Sequence, residues 1–137
     1  MSITPPTGVL KVINILLVED DDGDILLTQE ALEDAPFESK LHVVHNGEDA
    51  IEFISTSEGA DLNLIICDLN MPRMDGHEFL VAIKKYPDLN HIPIVILSNS
   101  SNPQDFVKSY QLESAMCLSK PLNAEKIEKI ITQTRVL

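Results

Sequence analysis

Two adjacent acids, Glu19 and Asp20, directly follow the apolar run VINILLV (12–18), and Asp21, Asp22 and Asp24 come close behind. Asp68 follows a second apolar run, LNLIIC (62–67). Ser98 and Asn99 follow a third, IPIVIL (92–97), and Ser119, Lys120 and Pro121 stand at the end of a fourth, SAMCLS (114–119). A carboxylate at the end of a buried run is costly to desolvate unless something compensates it. Carboxylates crowded together either share a proton or recruit a cation. Carboxylate oxygens on a rigid support, with room for water, suit Mg²⁺. A carboxylate beside Mg²⁺, an ammonium and a hydroxyl can itself accept a phosphoryl group, because phosphoryl transfer is mostly positioning and charge stabilisation. Aspartate is a nucleophile of this kind.

Taken singly, each residue has a plain structural reading. Asp68 could be a turn or helix-cap residue, and the run Asp20–Asp24 an N-cap cluster in which Asp24 is the cap. Lys120 could be a solvated lysine and Ser98 a strand-end hydroxyl. The plain readings weaken together if the elements bring all of these residues to one edge.

The elements do so in prospect. Apolar runs alternate five times with helical patterns. Strands are expected at 12–18, 40–44, 62–67, 92–97 and 114–119. Helices are expected at 23–36, closed by Pro36, then at 47–55, 76–86, 103–112 and 123–137, the last with Ile127, Ile130 and Ile131 inward. Strands this apolar, separated by helices, indicate a parallel sheet covered on both faces. In such sheets the functional crevice lies outside the carboxyl ends of the strands, where the acids, the hydroxyl and the lysine fall. The turn His45-Asn46-Gly47 after the second strand is plain by comparison.

The remaining composition narrows the field. With 137 residues the chain holds one core and not two. A formal charge of −12 disfavours nucleic acid as a direct partner. No apolar run approaches a membrane span, and the start MSITPPTGVLK lacks the basic region of a signal peptide. Cys67 and Cys117 fall on the third and fifth strands, about 9–10 Å apart if one strand lies between them, beyond disulfide reach. Buried, reduced cysteines indicate a cytoplasmic location.

Other sites fail on spacing. A calcium loop with Gly23 sixth would begin at Val18 and end at Gln29, where Asp and Glu are required. A flavin or nucleotide site calls for a Gly- or Ser/Thr-rich loop after the first strand, and acids stand there. His42, His45, His77 and His91 are scattered and form no ligand pattern.

Four separated segments, ILLVEDD (15–21), DLNMPRMDGHEFL (68–80), PIVILSNS (93–100) and SKPL (119–122), resemble the receiver domain of two-component response regulators. The resemblance implies a flavodoxin-like (βα)5 three-layer sandwich with a five-stranded parallel sheet in the order 2-1-3-4-5. It implies a flexible arm at 1–10, a single receiver domain at 11–137 and no output domain. Asp68 would be the phosphoacceptor, taking its phosphoryl group from a sensor histidine kinase. Asp20 and Asp68 would hold Mg²⁺ directly, Glu19 through water, and Asn70 through its backbone carbonyl. Ser98 would be the switch hydroxyl, with Asn99 beside it, and Lys120 would pair with the phosphoryl oxygens, aimed by a cis peptide to Pro121. The product is a signalling switch that catalyses only its own phosphorylation and dephosphorylation. It would be read by a downstream protein through the fourth helix, fifth strand and fifth helix, where Phe106 and Tyr110 are candidate anchors and homodimers could form. The apolar triplet Ile25, Leu26 and Leu27 on the first helix would face the kinase.

Two positions depart from the family pattern. Cys117 stands where an aromatic relay residue is usual, and Asn99 where a small residue is usual. A finer likeness, in LTQEAL (27–32), LHVVHNGEDAIEFI (41–54) and SYQLESAMCLSKPL (109–122), is to stand-alone bacterial regulators of phytochrome-type kinases. The alternative within the family is a degenerate receiver, a protein-interaction module independent of phosphorylation. Loss of an acid, the acceptor or the lysine would mark it, and none is lost. A phosphatase working through an aspartyl phosphate would need a second acid at position 70, where Asn70 stands.

Overall fold

The computed structural model describes residues 12–69, 76–83, 85–86, 92–98 and 115–136. In chain order the elements are β1 (Val12–Val18), α1 (Asp22–Glu33), β2 (Glu38–Val44), α2 (Gly47–Ile54), a 3-10 turn (Gly59–Asp61), β3 (Leu64–Asp68), α3 (Gly76–Ile83), β4 (Ile94–Ser98), β5 (Ala115–Ser119) and a last helix (Ala124–Thr134). The strands form one parallel sheet in the order β2-β1-β3-β4-β5. The expected helix at 103–112, the arm at 1–10, and Asn70, Asn99, Phe106 and Tyr110 lie outside the described residues.

Side chains alternate across a strand, and the alternation splits the core in two. Leu16, Val18, Ile65, Cys67, Ile94, Ile96 and Cys117 face one layer, with Ala50 and Ile54 of α2 and Phe79, Leu80 and Ile83 of α3. Ile13, Ile15, Leu17, Leu64, Ile66, Val95, Leu97 and Leu118 face the other, with Leu32 of α1 and Ile127 and Ile130 of the last helix. Burying each such side chain contributes roughly 1.5–3 kcal/mol. Ile131, expected inward, is only partly buried against this second layer.

Several boundaries differ from expectation for local reasons. β2 begins at Glu38, because an edge strand alternates exposed and half-buried residues and its first turn is polar. β3 includes Asp68 itself, and β4 includes Ser98. α1 ends at Glu33, short of Pro36. Lys85 and Tyr86 follow α3 with N–H donors to the carbonyls of Ala82 and Ile83, the tighter pattern of a closing turn. The last helix stops where Arg135 turns left-handed at φ 56°, donating its N–H to Ile131.

Asp24 is not the cap of α1. Asp21 is, its carboxylate accepting from the Asp24 N–H at 2.8 Å. The turn after β2 also carries a role, since Asn46 caps α2 by accepting from Asp49 N–H at 2.8 Å. Each cap is worth about 1 kcal/mol.

Cys67 pairs in register with Ile96, and Ile96 with Cys117. Both cysteines are reduced and buried, with one strand between them.

Candidate functional site

Backbone pairing runs one residue past the strands and fixes the site. Glu19 N–H donates to Val44 O at 2.9 Å, Leu69 N–H to Leu97 O at 3.0 Å, and Lys120 N–H to Ser98 O at 2.8 Å. The ends of β1, β3 and β5 are thus tied to their neighbours on both sides of Asp68. Ser98 is fully buried at the end of β4, one residue beyond Leu97, the partner of Asp68 in register.

Glu19, Asp20 and Asp68 converge, each offering an oxygen within 4.8 Å of the others. Glu19 and Asp68 are buried and Asp20 is exposed. An all-carboxylate set open to water on one side fits a small hard divalent cation that keeps part of its hydration shell. It does not fit a soft metal, for which thiolate or imidazole donors are usual.

Lys120 reaches into this cluster. Its ammonium hydrogen-bonds Glu19 Oε1 at 3.0 Å and Asp24 Oδ2 at 2.7 Å. It also lies 3.2 Å from Asp68 Oδ1. The peptide between Lys120 and Pro121 is cis. The loop is clasped from the last helix, where the Lys126 ammonium donates to Ser119 O at 2.6 Å and to Pro121 O at 3.0 Å.

Burial pushes the Glu19 carboxyl up to about 7; the hydrogen bond from Lys120 opposes the shift, and Asp68 adds to it. Burial alone would lower the Lys120 ammonium, but hydrogen bonds to Asp24 and Glu19 and the charge of Asp68 hold it above the usual lysine range. The lysine is therefore a fixed positive charge, and Glu19 is a group that gives up its proton reluctantly unless more positive charge arrives.

Four of the residues singled out from the sequence, Glu19, Asp20, Asp68 and Lys120, come together here. Cys117 is buried in the layer shared with Cys67. Asn70 and Asn99 lie outside the described residues. Sequence reasoning missed two contributors, Asp24 and Lys126. Asp24 was hidden by its resemblance to a cap, and Lys126 had no signal beyond its place in the first turn of a helix.

Residues 15–132 match the response regulator receiver domain. The chain belongs to this family. The receiver is 37% identical over 121 residues to the response regulator Rcp1 of Synechocystis sp., covering 85% of this chain and 82% of that protein. It superposes on the bacteriophytochrome response regulator AtBRR with a TM-score of 0.80 at 32% identity, over 93% of this chain and 95% of the other. On the phosphorylated cyanobacterial phytochrome response regulator RcpA the TM-score is 0.70 at 34% identity, over 90% and 91% of the two chains. A Mn²⁺-bound form of Rcp1 superposes with a TM-score of 0.68 at 36% identity, over 88% and 90%. As a receiver, the protein is a signalling switch related to phytochrome response regulators, with an acidic cluster suited to a metal. No helix among the described residues is long and apolar enough to cross a membrane.

Proposed function

We propose that this receiver accepts a phosphoryl group on Asp68 from the phosphohistidine of a sensor kinase, and that the phosphorylated form is read by a protein partner. The observation that carries this reading is the position of Asp68 Oδ1, which lies 3.2 Å from the Lys120 ammonium within the Glu19, Asp20 and Asp68 cluster. In the transfer, an Asp68 carboxylate oxygen forms a bond to phosphorus as the bond from phosphorus to the histidine nitrogen breaks. The imidazole retains the electron pair and takes up a proton. Lys120 lies where it can pair with a phosphoryl oxygen, and Ser98 stands one rung away as the switch hydroxyl. Asp20 and Asp68 would hold Mg²⁺, with Glu19 behind them and the Asn70 carbonyl as a further ligand. Mg²⁺, when bound, supplies the positive charge that lets an anionic phosphoryl group approach three carboxylates.

Phosphorylation adds charge and acceptor oxygens at one strand end, which biases a pre-existing equilibrium between two arrangements of the β4 and β5 region. Buried Cys117 supplies no aromatic ring to turn inward, so the readout runs through Ser98, Lys120 and the backbone that joins them. The likeness to regulators named for phytochromes supports a phytochrome-type kinase as the donor. The surface assigned to a target or a second copy is the face around β5 and the last helix.

The test is intact-protein mass after incubation with a small phosphoryl donor, with and without Mg²⁺, beside Asp68→Asn. A metal-dependent gain of one phosphoryl group that the variant lacks supports the reading. No gain in folded wild-type protein points to a receiver that works by interaction alone.

A further inference from the structure

The shortest contact of Lys120 is made neither to the acceptor nor to a strand-end acid. It is made to Asp24, on the first turn of α1, at 2.7 Å. An ammonium has three donors, and three carboxylates already surround this one. Among the described residues its two hydrogen bonds go to Asp24 and Glu19, and the contact with Asp68 is the longest of the three. An anionic phosphoryl group on Asp68 would bring several acceptor oxygens to a lysine with two of its three donors committed and the third facing Asp68, so those oxygens compete with its present partners and one of them gives way.

Burial decides which. The Glu19 and Asp68 side chains are 1% and 6% exposed, while that of Asp24 is 32% exposed. A carboxylate released into water regains its hydration, whereas one released inside the fold stays uncompensated. Asp24 lines the recess beside Lys120 together with Leu27, Thr28 and Pro121, so it can turn toward solvent while the strands stay in place.

We infer that Asp24 is a positioning residue that holds Lys120 in the unphosphorylated receiver and competes with the phosphoryl group for it, so that phosphorylation exchanges one partner of the lysine for another. The inference rests on the reading of Asp68 as the acceptor. It makes Asp24 a brake: it lowers affinity for a phosphoryl group and couples the state of Asp68 to the first turn of α1.

The test titrates beryllofluoride, a stand-in for the phosphoryl group, into the full chain at saturating Mg²⁺. Wild type is compared with Asp24→Asn, Asp24→Glu and Asp22→Asn, an exposed acid of the same turn. The Mg²⁺ affinity of each is measured separately, and urea midpoints check the fold. Removing a competing ion pair should tighten beryllofluoride binding about fivefold in Asp24→Asn. Asp24→Glu should return most of the way to wild type, and Asp22→Asn should change binding less than about twofold, because charge alone at an exposed site is screened. Equal effects in Asp24→Asn and Asp22→Asn, or none in Asp24→Asn, would overturn the role of Asp24 while leaving the acceptor intact. Failure of wild type to bind beryllofluoride would overturn the acceptor reading and the brake with it.

Discussion

The backbone N–H of Lys120 donates to the carbonyl of Ser98 at 2.8 Å, so the lysine is tied to the residue whose buried hydroxyl ends β4. Neither can be displaced along the strand without carrying the other. A signal that pulls on both side chains therefore acts on one joint between β4 and β5.

Lys120→Met should destabilise the metal-free protein by about 3–5 kcal/mol at pH 8, because it strands the buried Glu19 carboxylate without its positive partner. Mg²⁺ should restore much of the loss. Urea unfolding in chelator and in Mg²⁺ measures both, and an unchanged midpoint in chelator would contradict the account.

The pH dependence has a definite sign. Glu19 is held up at about 7 against an ordinary 4.5, so the folded protein binds more protons than the unfolded chain between those values. Its contribution to stability is complete below the lower value and is lost as pH rises through the upper one, on the order of 2–3 kcal/mol in the metal-free protein. Lys120, held above the usual range, stays charged across this window. Stability in chelator should fall from pH 5 to 8, and the stabilisation by Mg²⁺ should grow. Glu19→Gln should flatten both trends in thermal melts.

Much of this could be foreseen from the residue order, and the misses have physical causes. β1, β3 and β4 are continuous apolar runs because both faces are covered, which makes them visible without alternation. β2 lies at an edge, and its polar start hid two residues of strand. The crevice was legible because strand ends in a parallel sheet share one side, although the strand order came from family likeness and not from periodicity. Asp24 was assigned to capping because capping and ion pairing draw on the same residue type. Only the position of the Lys120 ammonium tells them apart.

Lys126→Met removes two contacts to the carbonyls that flank the Lys120–Pro121 peptide. Amide exchange at Lys120 should quicken about tenfold, while Ile127, within the helix, changes little. Comparable rates at Lys120 in both proteins would show that the clasp does not hold the loop.

Gly59→Ala should cost about 1–3 kcal/mol, since a Cβ there would come within 2.5 Å of the carbonyls of Phe53 and Ile54 and the backbone must shift. The site lies elsewhere, so phosphoryl uptake per folded molecule should match wild type. A urea midpoint equal to wild type would show that the turn yields freely.

If the face around β5 and the last helix joins two copies, sedimentation should show a rise in mean mass on addition of phosphoryl donor, steeper at higher protein concentration. Identical profiles with and without donor would leave the surface to another partner.

β3 occupies the middle of the sheet, bonded to β1 on one side and β4 on the other, whereas β5 stands at an edge. Freeing Asp68 from its mount would require breaking two ladders at once, so its strand should be among the slowest to exchange its amide protons. A phosphoryl group on Asp68 would therefore press on a fixed anvil, and any displacement it provoked would travel outward, toward the strand with less holding it down.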